Sequence, residues 1–219
     1  MVTLALNPAG QKAGYFYVWM AAVCALIAFG AFAPTYWLQL SAGTFVGPPL
    51  LHIHGALFFA WTLLLLSQTA LAANGRLDSH GAWGLGGISL ATAMVVVGIA
   101  ASIHTLTTGL AAGYGDASRA FFILPLSAIV LFAGFFVAAV SNIRRPEVHK
   151  RFMLLATISL LQAAMGRIFF ILATGGGPGM RPGLGPPPPL FIGSSGNRVD
   201  ESNGKCGLKR HGYWVFEVS

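Results

Sequence analysis

Residues 54–73 read HGALFFAWTLLLLSQTALAA, twenty positions in a row without a charged side chain. A hydrocarbon core roughly 30 Å thick needs about 20 apolar helical residues to cross it, and lipid offers the backbone no outside hydrogen-bond partner. The stretch therefore reads as a transmembrane helix. Runs of the same character occupy residues 15–33, 82–103, 121–141 and 152–173. Together they predict an all-α polytopic transmembrane helix bundle of five spans. A short N-terminal segment (1–14) precedes the bundle (15–174), and a Gly/Pro-rich and polar tail (175–219) follows it.

Composition points the same way. Only 9% of residues are charged and 55% are hydrophobic, against about 25% charge in a soluble domain; mean hydropathy is +0.71. The formal charge of +7 comes from cations in short loops and in the tail. Membrane orientation accounts for them there, so the expected partner is the lipid bilayer and not nucleic acid. Cys24 and Cys206 have no CxxC partner, which excludes a disulfide framework or thiolate metal site.

Lys12, the first apolar run and Ala31-Phe32-Ala33 together imitate a signal peptide. The run is longer than the roughly 7–15 residues of a signal h-region, so it reads as a retained span. Lys12, Arg76, Arg144, Arg145, Lys150 and Arg151 fall on one side of the five spans and Arg119 alone on the other. The positive-inside rule then places the N-terminus in the cytoplasm of an inner-membrane protein. The uncharged stretch Pro34 to Leu51, with Tyr36 and Trp37, suits a connection lying on the outer surface. Residues 175–189 are too rich in Gly and Pro for a helix, and residues 197–219 are polar and aperiodic, so the tail is expected to be disordered.

Polar side chains within the spans are the candidate functional residues. His54, Trp61 and Gln68 recur at intervals of seven and share one stripe of their helix. His52 lies about 200° away from His54 on a regular helix. The two can serve one metal ion only if the segment after Pro48-Pro49 is still extended. Arg167 lies sixteen residues past Arg151, about 24 Å along a helix and at the depth of His54. A guanidinium in an apolar span marks a functional site by default, with snorkelling to the outer headgroups as the competing reading. His104 completes an outer group; His80 and His149, each opening a span, form an inner one.

Two histidine groups at opposite faces follow the layout of b-type cytochromes, in which imidazoles from different helices hold haem, although no span here carries the two well-separated histidines of four-helix cytochromes and there is no CxxCH for covalent haem. His54, His80, His104 and His149 are thus candidate haem b ligands. His52 with His54 is a candidate metal pair, although no Met or Cys accompanies it. The alternative is a non-redox accessory protein, or a small-solute or proton carrier, whose polar interior comprises Trp61, Gln68, Arg151, Gln162 and Arg167. No nucleophile–base pair, paired carboxylates or phosphate loop is present, so the sequence does not read as an enzyme.

The order His52-Ile53-His54-Gly55, Trp61, Gln68, Gly75-Arg76, His80, then Arg145-Pro146-Glu147-Val148-His149-Lys150-Arg151-Phe152-Met153 and Gly166-Arg167 resembles a family of uncharacterised bacterial multi-pass membrane proteins. That family is distantly like cytochrome-oxidase assembly membrane proteins, and the resemblance covers roughly residues 15–189. The family has no settled activity; respiratory-complex subunits or further copies of this chain are the expected partners. The resemblance singles out His54, His80, His149, Arg151 and Arg167. The family pattern leads one to expect a sixth span after Pro186–Pro189, where this chain has residues 193–219, which cannot span. A frameshifted or truncated C-terminus would explain the difference.

Overall fold

The computed structural model describes residues 8–174. Within them every element is helical, in the order α1 (Pro8–Phe32), a π-helical turn (Ala33–Trp37), α2 (Leu38–Ser41), α3 (Pro49–Ala73), α4 (Leu77–Ala111), α5 (Gly115–Ser141), α6 (Pro146–Leu160) and α7 (Gln162–Thr174). Four stretches are long and apolar enough to cross a membrane: 14–41, α3, α4 and α5. The pair α6–α7, bent by 41° around Leu161, brings the number to five when the two are counted as one span. The all-α membrane bundle expected from the apolar runs is what the chain forms. The expectations for residues 175–219, including the missing sixth span, lie outside the described residues.

Lipid requires the outward surface to be as apolar as the interior. Trp19, Leu26, Val96, Val137 and Phe169 are all exposed. Small residues face inward instead, among them Ala21, Ala91, Gly98, Ala139 and Ala156. Close helix approach, with no hydrophobic force between helices, drives this inversion. At Gly14 a Cβ would lie 3.4 Å from the Ala73 Cα, so α1 and α3 nearly touch there.

Short turns make successive helices antiparallel neighbours. After α3, Gly75 takes φ 72°, which suits a residue with no Cβ. The Gly75 N–H donates to Ala72 O and the Arg76 N–H to Leu71 O, a Schellman closure of the exposed carbonyls. Gly113 repeats the device after α4, with the Tyr114 N–H reaching Gly109 O. Helices α1, α3, α4, α5 and α6 pack in that cyclic order, and α6 and α7 return against α1. One end of the ring carries Arg76, Arg144 and Arg145, and is called here the basic end. The opposite, distal end carries the 42–48 and 112–114 connections.

Trp61 fills the centre, 1% exposed, against Ala91, Met94, Phe132 and Ala156 from three other helices. Its indole N–H donates to Thr157 Oγ1 at 3.0 Å, so the ring is buried without an unmet donor.

Several expected boundaries move. The first span does not stop at Ala33: Pro34 lacks the N–H that an α-turn needs, and the chain passes it through the π-turn and stays helical to Ser41. The distal connection is therefore 42–48 and not 34–51. Likewise α1 already begins at Pro8, inside the segment read as a separate N-terminus. Helix α4 runs for 35 residues, because backbone bonding continues past the apolar run that hydropathy detects.

Candidate functional site

The distal half of the ring encloses a cavity of about 230 Å³. Its walls are largely apolar, with Phe58, Phe59, Ala128, Ile129 and Ala164 prominent. The polar groups facing it come from every span but α5: Thr35 in the π-turn, His54 and Thr62 on α3, Ser102 and Thr105 on α4, and Thr157 and Arg167 on α6–α7. Ser102 and Thr105 also satisfy their hydroxyl protons within α4, on Gly98 O and Ala101 O.

Arg167 dominates the electrostatics. Its side chain turns inward: Nη1 donates to Thr35 Oγ1 at 3.3 Å, and the guanidinium sits 4.4 Å from the centre of the Phe32 ring. Among the described residues the ion pairs are Arg119–Asp116 and Lys150–Glu147, both at the bundle's ends, so no carboxylate meets Arg167. A lone ion taken from water loses several kcal/mol even after relaxation. A cation–π contact returns about 2 kcal/mol when desolvated, and a single long bond to a hydroxyl adds little. The balance leaves the cation short of one strong acceptor.

His54 stands on the same wall, its ring 4.1 Å from that of Phe58. Its Nδ1 is buried and has no hydrogen-bond partner. Buried polar atoms in native structures are almost always paired. The cavity wall thus places an unpartnered imidazole nitrogen and a guanidinium without a carboxylate among the described residues on one apolar surface.

His52 belongs elsewhere. It accepts from or donates to the Tyr36 hydroxyl at 3.0 Å and packs among Tyr36 and Phe45. Because α3 is helical from Pro49, the extended segment that would bring His52 and His54 onto one ion does not exist. Groups of three or more His, Cys, Asp or Glu side chains able to hold a metal are absent among the described residues. His104 is half-buried on α4 and does not reach the wall that His54 lines. The distal histidines thus do not fit a pair of haem ligands.

The basic end is different. His80 and His149 each occupy the first turn of their helices, α4 and α6. Their rings converge with centres 6.3 Å apart and planes at 89°. His149 Nδ1 bonds to Ala139 O at 2.9 Å, which leaves Nε2 free. His80 Nδ1 is buried without a partner. Gln68, 7% exposed, also leaves both amide atoms unpaired.

Two residues expected in the polar interior are not there. Gln162 and Arg151 are both exposed. Gln162 and Arg167 are five residues apart, about 140° around a helix, so turning Arg167 inward turns Gln162 out. Trp61, Gln68 and Arg167 do lie inside. Sequence reading missed the hydroxyl ring of Thr35, Thr62, Ser102 and Thr157, since single Thr and Ser residues in apolar spans are ordinary. The nearest signal is Pro34-Thr35, a helix-breaking residue beside a hydroxyl.

No protein-family model, curated protein or solved structure matches this chain.

Proposed function

We propose that this is an inner-membrane protein, N-terminus in the cytoplasm, which binds a small acidic amphiphile in the distal cavity and acts as a carrier or accessory protein. The orientation rests on the six cations at the N-terminal side of the spans against Arg119 on the other. The observation that carries the binding reading is Arg167, a guanidinium on the wall of an apolar cavity that meets no carboxylate among the described residues. Its planar fork matches a carboxylate in bidentate fashion. His54 Nδ1 supplies a second polar contact to the head, and Phe58, Ile129 and Ala164 hold the hydrocarbon. At about 230 Å³ the space is smaller than the usual 300–1,000 Å³ of ligand pockets, roughly speaking, which favours a body of few carbons.

Radiolabelled octanoate and purified protein in mild detergent test the reading. Saturable binding of one octanoate per chain is expected, weakened at least tenfold by Arg167→Gln and by Ala164→Phe, which fills the cavity. Binding that is absent, or indifferent to both changes, contradicts it. A second reading, a haem-linked redox or respiratory-assembly role, is favoured by the convergence of His80 and His149. It requires a Soret band in the purified protein that His149→Ala removes; a colourless protein that fails to take up added haem refutes it.

A further inference from the structure

The basic end holds an arrangement that the amphiphile reading does not use. Two imidazoles arrive from separate helices, α4 and α6, each in the first turn of its helix. With Nδ1 of His149 tied to the Ala139 carbonyl, the ring is oriented and its Nε2 carries the lone pair. That is the way metal-bound histidines are commonly held from behind. His80 presents a buried nitrogen without a partner. The spacing also agrees: with metal–nitrogen bonds of about 2.0 Å, two rings on opposite sides of one ion hold their centres roughly 6 Å apart. The observed separation is 6.3 Å.

We infer that His80 and His149 form a two-coordinate site for a single monovalent copper ion. No third His, Cys, Asp or Glu joins the two imidazoles among the described residues. Imidazole suits copper and zinc alike, so charge and coordination number decide between them. Arg76, Arg144, Arg145 and Arg151 surround the site in sequence, while Glu147 is already engaged by Lys150 at 2.7 Å. Asp78, exposed in the first turn of α4, does not join the pair in a three-ligand group, and zinc would still lack two of its four ligands. A d10 monovalent ion is content with two nitrogens in line and adds one charge. Gln68, buried nearby with an unpaired amide, provides a polar wall.

The test uses the full chain in detergent, under anaerobic conditions, with copper(I) buffered by bicinchoninate. One copper(I) per chain is expected to be drawn from the chelator. His80→Gln and His149→Gln should each weaken it at least tenfold, while His52→Gln and His54→Gln leave it unchanged. X-ray absorption on the unaltered copper-loaded protein should show two imidazole nitrogens and no sulfur, which decides the matter even if a variant fails to fold. Unchanged affinity in both His80→Gln and His149→Gln overturns the inference, as does a copper shell of three or more ligands. Zinc held more tightly than copper(I) overturns the monovalent assignment, and haem uptake abolished by the same two variants overturns it in favour of a macrocycle. Because octanoate binding depends on Arg167 and Ala164 at the other end, the outcomes of the two experiments are independent.

Discussion

Trp61 concentrates in one side chain what a membrane interior asks of a polar-tipped residue. Its ring meets Phe132 edge-on at 5.0 Å while its N–H is bound to Thr157 Oγ1. Trp61→Phe keeps most of the ring and strands the Thr157 acceptor. It should lower stability by about 1 kcal/mol, within the range of interhelical hydrogen bonds in membrane proteins. Trp61→Ala leaves a cavity and should cost about 3–5 kcal/mol. Thermal unfolding in detergent measures both, and equal losses would mean that packing around the ring contributes nothing beyond the bond. The inward-facing stripe of Trp61 and Gln68 was legible from their spacing of seven. The partner of Trp61 was not, since Thr157 stands 96 residues away. For the same reason the contact of Arg167 with Thr35, 132 residues apart, was out of reach. Depth along a helix can be counted from sequence, whereas direction around it depends on neighbours not yet placed.

At the level of elements, glycine sets how closely α4 and α5 approach. A Cβ on Gly98 would fall 2.8 Å from Ile129 Cδ1 and 3.4 Å from Phe58 Cζ. Gly98→Ala asks only that the tip of Ile129 swing aside. Gly98→Val needs more room than that rotation releases and should destabilise the bundle by about 1–3 kcal/mol. It should also narrow the cavity that Ile129 and Phe58 line, weakening octanoate binding several-fold. A neutral Gly98→Val in both unfolding and binding would show that this seam yields freely. The elements themselves were readable from hydropathy, their ends less so. Pro34 reads as a helix stop in sequence, yet the π-turn carries the chain past it and delivers Thr35 to Arg167. The bend at Leu161 between α6 and α7 left no comparable mark, because no proline or glycine occupies it.

Over the whole molecule the polar chemistry divides between two ends of one ring. Arg167 and His54 face the distal cavity, while His80, His149 and Gln68 gather at the basic end, with Trp61 and its aromatic neighbours between them. The division of the histidines between two ends of the bundle was already visible in the sequence. What changed is its content: the distal group is an imidazole and a guanidinium around a cavity, with His52 engaged by Tyr36 and His104 apart from the wall. Charge recognition by Arg167 is the claim on which the functional account depends. Octanoate and octanol have similar apolar bodies and differ in the charge of the head, so their relative affinity isolates that recognition. In equilibrium binding to the detergent-purified chain, octanoate should bind at least tenfold more tightly than octanol, and Arg167→Gln should erase the difference while leaving octanol unaffected. Equal affinities in the unaltered protein, or a preference that survives Arg167→Gln, would contradict the account.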